Sequence, residues 1–138
     1  MANRKTVMVV DDDPDILKTM DILLGREYAV IAASDGDAAL SILAKQRPQL
    51  LILDVSMPKM SGLEVLKSVH ASLPALAVLM LTAEMDLDVA KRALECGATA
   101  YITKPFEYDA LLVEVKRLLE TPAADDDEKN YRPWRVKP

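Results

Sequence analysis

Apolar residues along the chain fall into short uninterrupted runs, and a longer segment with apolar residues at helical spacing follows each run. The runs are too short for buried helices, and turn residues bound them. Because such runs are typical of strands that are covered on both faces, they predict a parallel sheet. The longer segments predict helices that pack on the two faces of this sheet. The predicted strands are residues 6–10, 28–33, 50–54, 76–81 and 99–103.

Five such strand and helix units specify a doubly wound α/β fold of the flavodoxin-like type, with a five-stranded parallel sheet. Right-handed crossovers, with the most apolar strands in the middle, favour the strand order 2-1-3-4-5. The fourth helix, about residues 85–95, is poor in large apolar residues and is predicted to be held least firmly. Its predicted inner side consists of Leu87, Ala90, Ala93 and Leu94.

Capping residues mark where the predicted helices begin and end. Asp13 before Pro14 predicts the start of the first helix, with the aspartate side chain as the N-cap. Ser61 and Glu64 have the spacing of a capping box at the start of the third helix. Gly25 is predicted to end the first helix in a left-handed conformation.

Composition and charge narrow the range of functions. The net charge of −5 argues against a surface that holds nucleic acid, because phosphate neutralisation needs clustered lysine and arginine. The single cysteine, Cys96, cannot form an internal disulfide, and no apolar run has the length of a signal peptide or a membrane span. We therefore expect a cytoplasmic protein that contacts neither nucleic acid nor membrane.

The length of 138 residues fits one domain, which we place at residues 1–120. Residues 121–138 differ in character, since an acidic block at 125–128 is followed by four basic residues around Tyr131 and Trp134. One interpretation is a flexible tail, or a linker to an output domain. The alternative is a docking segment, because Tyr and Trp flanked by arginine are common interface anchors.

Four of the five predicted strands end in residues suited to metal or phosphoryl chemistry: Asp11 and Asp12 after the first, Asp54 at the end of the third, Thr82 after the fourth and Lys104 after the fifth. In an open parallel sheet, ligands bind outside the carboxyl ends of the strands where the strand order reverses, here between strands one and three. Three carboxylates gathered there repel one another, and a hard divalent cation such as Mg²⁺ would offset the repulsion. With the ammonium and the hydroxyl, they predict a site that stabilises a transferring phosphoryl group and holds it as an acyl phosphate.

Over residues 5–120 the chain resembles the receiver domains of bacterial two-component response regulators. The residues that carry the resemblance are 9–13, 53–58 with Gly62, 81–83 and 104–106. The resemblance implies that Asp54 accepts a phosphoryl group from a phosphohistidine of a sensor histidine kinase or a phosphotransfer protein. It also implies a signalling switch that is a regulator and not a conventional enzyme, although it catalyses its own phosphorylation and dephosphorylation.

The resemblance assigns roles to the residues around the acceptor. Asp12, Asp54 and the backbone carbonyl of Ser56 would hold Mg²⁺, with Asp11 acting mainly through a metal-bound water. Lys104 would pair with the phosphoryl oxygens, and the peptide bond that follows it, to Pro105, is expected to be cis.

The same resemblance describes a switch. Thr82 would be drawn toward the phosphoryl group, and Tyr101 would turn into the space that Thr82 vacates. The surface formed by the fourth helix, the fifth strand and the fifth helix would then act on an unidentified protein target or on a second copy of the chain. Ser56 and Glu84 occupy the positions that influence the rate of dephosphorylation.

Two other functions compete with this interpretation. Asp11 and Asp13 have the spacing of a haloacid-dehalogenase-like phosphatase, in which Asp11 would be the nucleophile and Asp13 the acid/base. That family usually needs a longer chain and a further paired-aspartate motif. The second alternative is a receiver-like binding module that keeps the fold but is never phosphorylated, and the complete set of polar residues argues against it.

Overall fold

Strands and helices alternate along the chain, as the sequence predicts. The computed structural model describes residues 4–57, 59–82 and 87–120. The strands are β1 (Thr6–Val10), β2 (Ala29–Ala33), β3 (Leu50–Asp54), β4 (Ala77–Thr82) and β5 (Ala100–Thr103). The helices are α1 (Pro14–Leu24), α2 (Gly36–Leu43), α3 (Gly62–Ser72), α4 (Leu87–Glu95) and α5 (Tyr108–Glu120).

The five strands form one parallel sheet in the order β2-β1-β3-β4-β5, so the predicted fold is confirmed. Val10 of β1 lies opposite Leu53 of β3, and Asp54 lies opposite Leu81 of β4. The strand order reverses between β1 and β3, which brings the residues that follow β1 beside Asp54.

Two apolar layers cover the sheet, because successive side chains of a strand point to opposite faces. Leu51 and Leu53 of β3 pack in the layer under α2, α3 and α4. Leu50 and Ile52 pack in the layer under α1 and α5. All four side chains are fully buried, so the strand that carries Asp54 is fixed from both sides.

The helix starts agree with the capping signals. The Asp13 side chain accepts a hydrogen bond from the backbone N–H of Asp15 at the start of α1. At the start of α3, Ser61 and Glu64 form the complete capping box. The prediction for Gly25 is wrong, since this residue has φ −64° and ψ −12°. Its N–H donates to the carbonyl of Asp21, so Gly25 continues the right-handed turn and does not reverse it.

The inner face of α4 differs from the prediction at two positions, because Leu87 is exposed and Val89 packs against the apolar layer. Ala90 and Ala93 are buried and Leu94 is partly buried, but the Leu87 residue is 67% exposed. Leu87 is the first residue of the helix, and helical side chains lean toward the amino end. Its side chain therefore projects past the end of the helix and not onto the sheet, and α4 packs on the apolar layer through buried Ala93 and the partly buried Val89 and Leu94.

None of the helices in the described part of the chain combines the length and the apolar character that crossing a bilayer requires.

Candidate functional site

Three carboxylates meet where β1 and β3 end. Asp11, Asp12 and Asp54 each offer an oxygen, and these oxygens lie within 4.8 Å of one another. The Asp11 and Asp54 residues are only 1% and 4% exposed, whereas Asp12 is exposed to solvent. One open and two buried carboxylates form a pocket that a hard cation can enter from the side of Asp12.

The local backbone orients Asp11. Its Oδ1 accepts a hydrogen bond of 2.9 Å from the N–H of Asp13, and its own N–H donates to the carbonyl of Ala33 at the end of β2. Its buried Oδ2 accepts no hydrogen bond from the described residues. A buried carboxylate oxygen without a hydrogen bond is costly, and the Lys104 ammonium, which lies 3.5 Å from this oxygen, offsets the cost in part.

Lys104 supplies a cation from the opposite side of the pocket. Its Nζ donates to Oδ1 of Asp54 at 3.0 Å and lies 3.5 Å from Oδ2 of Asp11. Its backbone N–H donates to the carbonyl of Thr82 at 2.7 Å, which fixes the end of β5 against the end of β4. The peptide bond between Lys104 and Pro105 is cis, as expected. One ammonium thus bridges the two buried carboxylates.

This ammonium does not fully compensate the buried negative charge. Burial raises the pKa of Asp54, and the repulsion of Asp11 adds to the rise, although the hydrogen bond from Lys104 opposes it. Burial also raises the pKa of Asp11, although the hydrogen bond from the Asp13 N–H and the positive charge of Lys104 lower it. For Lys104, burial lowers the pKa, but the hydrogen bond and charges of the two carboxylates outweigh burial and raise it. The site therefore favours an additional positive charge.

Thr82 lies at the end of β4, one residue beyond the partner of Asp54 in the sheet. Thr82 is completely buried, and its Oγ1 has no hydrogen-bond partner among the described residues. A buried hydroxyl usually bonds to a neighbour, so the Thr82 hydroxyl is an unused donor at the carboxyl end of β4.

Three further residues, Tyr101, Ser56 and Glu84, were predicted to belong to the switch or to affect dephosphorylation. Tyr101 lies opposite Met80 on β5, is partly buried and contacts the apolar layer under α2, α3 and α4. Ser56 is exposed in the loop after β3. Glu84 lies outside the described residues.

Asp13 does not join the acidic cluster. Asp13 is exposed to solvent, and its carboxylate accepts the hydrogen bond from the backbone N–H of Asp15 that caps α1. The phosphatase interpretation needs this carboxylate as an acid/base beside Asp11. The observed cluster contains Asp12 and Asp54 instead.

Comparison with known proteins identifies the family. Residues 7–116 match the family model of the response regulator receiver domain. The chain belongs to this family. Among relatives, the transcriptional regulatory protein KdpE of Mycobacterium tuberculosis (strain CDC 1551 / Oshkosh) is 41% identical over 111 residues, which cover 80% of this chain and 49% of KdpE. This receiver chain spans about half the length of the curated relatives that it matches.

Solved structures agree with the assignment. The receiver domain protein from Clostridium thermocellum superimposes with a TM-score of 0.79 at 30% identity, and the match covers 83% of this chain and 94% of that chain. The receiver domain of NtrX from Brucella abortus gives a TM-score of 0.78 at 32% identity, with coverage of 84% and 99%.

Gly62 lies in a close contact with the end of β3 that its place in the sequence motif does not reveal. A Cβ at Gly62 would lie 2.2 Å from the carbonyl oxygen of Asp54 and 2.7 Å from Cα of Val55. The Gly62 N–H donates to the carbonyl of Val55 at 2.8 Å, which holds the start of α3 against the end of β3. The glycine just after the N-cap Ser61 was the available sequence signal, but the clearance depends on how the loop folds back.

We expect Gly62→Ala to destabilise the receiver by about 1–3 kcal/mol, because the added methyl group meets backbone atoms that cannot rotate away. Urea unfolding measures the loss. Ser68→Ala, at an exposed position of the same helix, is the control and should change little. Equal midpoints for the Gly62 and Ser68 variants would contradict the prediction.

Proposed function

We propose that the chain is a phosphorylation-dependent signalling switch in which Asp54 is the phosphoacceptor. One observation carries the proposal: a buried carboxylate at the end of the central strand lies 3.0 Å from a lysine ammonium and within 4.8 Å of two further carboxylates. A nucleophile, a fixed cation and an acidic pocket are the components that phosphoryl transfer needs. Membership of the receiver family supports the same conclusion.

In the proposed reaction, an Asp54 carboxylate oxygen attacks the phosphorus of a phosphohistidine. The new O–P bond forms as the N–P bond breaks, and the imidazole leaves. Asp11, Asp12 and Asp54 would hold Mg²⁺, with the carbonyl of Ser56, because oxygen ligands of this kind suit that ion. When bound, Mg²⁺ neutralises charge on the phosphoryl oxygens. Lys104 holds the carboxylate in place before transfer and pairs with the phosphoryl group afterwards.

The proposed switch starts at Thr82. A phosphoryl group adds strong acceptor oxygens to a pocket where the Thr82 hydroxyl has no partner among the described residues. Thr82 donates to this group, and Tyr101 turns inward from its partly exposed position on β5. The surface of α4, β5 and α5 changes as a result. The buried residues of α4 are only the small Ala90 and Ala93, and such limited burial suits an element that shifts at low energetic cost.

The proposed partners follow from the chemistry. A sensor histidine kinase or a phosphotransfer protein supplies the phosphoryl group, and a protein target or a second copy of the chain receives the signal. KdpE is named a transcriptional regulatory protein. The net charge of −5 over the 138 residues favours a protein target over nucleic acid. The same site catalyses loss of the phosphoryl group to water, with Ser56 and Glu84 influencing the rate.

A phosphorylation assay tests the proposal. Incubation with a small acyl phosphate and Mg²⁺ is expected to add the mass of one phosphate to the intact protein, and a chelator should prevent the gain. The bond should hydrolyse in alkali, as acyl phosphates do. An unchanged mass, in conditions that label another receiver domain in the same mixture, would refute the proposal.

A further inference from the structure

A shallow groove runs along α4 beside β5. Its volume is about 300 Å³, and its walls come from one helix and one strand. The residues that line it are Leu87, Ala90, Lys91, Leu94, Glu95 and Tyr101. The floor is apolar, and Lys91 and Glu95 place one charge of each sign one turn apart along the helix. A groove at the small end of the range for binding pockets suits a single large side chain with a charged neighbour.

Leu87 leaves an exposed apolar side chain on the wall of the groove. Leu87 is 67% exposed, and in the described part of the chain the only other large apolar residues with comparable exposure are Ile22 and Val113. Those two residues belong to α1 and α5, so Leu87 is the only one of the three that lines this groove. A stable interface between separate proteins buries about 800 Å² on each partner. One leucine and a small groove are little surface for such an interface.

A tethered segment needs much less contact area. A segment that is covalently linked to the domain faces the groove at an effective concentration in the millimolar range, so a weak contact is enough to populate the bound state. Residues 121–138 lie outside the described residues and form such a segment. They contain the only tryptophan of the chain, Trp134, and Tyr131 close before it.

We infer that the groove between α4 and β5 holds Trp134 of the chain's own carboxyl-terminal segment. Trp134 combines a large apolar surface with a ring N–H that can reach a polar rim, and such residues are frequent anchors of small interfaces. Arg132 and Arg135 flank it on both sides. In either direction of binding, one guanidinium therefore lies near the carboxylate of Glu95 on the rim.

The geometry of the fold allows the segment to reach the groove. The carbonyl of Leu119 accepts a hydrogen bond of 2.8 Å from Nζ of Lys5, just before β1, so α5 ends at the amino-terminal edge of the sheet. Glu95 ends α4 at the same edge, because both helices run back from the carboxyl ends of the strands. Residues 121–130 can span about 33 Å when extended. This exceeds twice the radius of gyration of about 14 Å expected for a domain of this size.

Fluorescence of the full chain tests the inference, because Trp134 is its only tryptophan. We expect its emission at a shorter wavelength than in a synthetic peptide of residues 121–138, and acrylamide quenching severalfold weaker than in the peptide. Leu87→Glu puts a charge into the groove and should return both values to those of the peptide. Val113→Glu is the matched control, since Val113 is 68% exposed on α5, and it should leave both values unchanged.

Three results would overturn the inference. The first is emission and quenching in the full chain equal to those of the peptide. The second is an equal loss of protection in the Leu87 and Val113 variants, because the groove would then not be the binding site. The third is protection that disappears on dilution, which would assign the contact to a second copy of the chain. Circular dichroism of each variant verifies that the fold is kept. Docking of this segment requires no phosphoryl group, so the outcome is independent of the phosphorylation assay.

Discussion

Asp54→Asn is expected to abolish phosphate uptake and also to raise the melting temperature of the metal-free protein. Loss of uptake follows from loss of the nucleophile. The gain in stability follows because the pKa of Asp54 is raised, mainly by burial, so the folded state favours an uncharged group at this position. Asparagine supplies that group with nearly the same shape. A gain of about 1 kcal/mol would raise the melting temperature by about 3–5 °C in a domain of this size.

The raised pKa of Asp54 also predicts how the stability of the unmodified chain changes with pH. Because the folded-state pKa of Asp54 exceeds the ordinary value of 3.8, the folded state binds more protons than the unfolded state just above that pH. The stability of the unmodified chain therefore falls as the pH rises through this window, and the cost is fully present above the folded pKa. The advantage of Asp54→Asn should be absent below pH 3.8 and largest near neutrality.

Thermal unfolding with a chelator, and again with excess Mg²⁺, measures both effects. Mg²⁺ at about 100 times its dissociation constant should add about 2.7 kcal/mol to the unmodified chain. It should add much less to Asp54→Asn, which has lost one ligand. Asp21→Asn, at an exposed position of α1, removes the same charge and is the control. If Asp54→Asn is less stable than the unmodified chain when both are free of metal, the ion pair with Lys104 outweighs the cost of burying the Asp54 carboxylate.

The fold could be predicted from the sequence because local pattern and global packing agree in the central strands. Residues 50–53 are apolar without interruption, and the structure buries all of them completely. A parallel sheet with right-handed crossovers leaves few possible strand orders. Once the order was chosen, the proximity of Asp11, Asp12 and Asp54 followed from topology alone. Residues distant in sequence were thus brought together without any information on side-chain contacts.

The details that escaped prediction depend on where elements end and how closely they approach. Periodicity placed Leu87 on the inner side of α4, but periodicity does not show that the contact with the apolar layer begins two residues later, at Val89. Glycine is the usual residue of a left-handed cap, yet the N–H of Gly25 donates to the carbonyl of Asp21 and Gly25 keeps a right-handed conformation. The need for glycine at position 62 arises from the carbonyl of Asp54, a contact that forms only in the folded loop.

Lys104→Met is expected to destabilise the metal-free protein and to increase the stabilisation that Mg²⁺ provides. Methionine keeps the apolar stem but removes the ammonium that lies 3.0 Å from Asp54 and 3.5 Å from Asp11. Breaking a fully buried ion pair costs about 3–5 kcal/mol. Because the Lys104 side chain is 33% exposed and solvent screens its charge, we expect a loss of about 1–3 kcal/mol.

The loss should depend on pH in a way that a simple packing defect would not. Without the ammonium, the pKa values of Asp54 and Asp11 lose a lowering influence and rise further. The variant should therefore approach the unmodified chain in stability at acid pH, where both carboxyl groups are protonated, and fall behind it as the pH rises. Urea unfolding across this range, with Lys116→Met on the exposed side of α5 as the control, measures the difference. An equal loss at acid and neutral pH would contradict the electrostatic role of Lys104. So would a gain from Mg²⁺ no larger than in the unmodified chain, because the metal supplies the positive charge that the variant lacks.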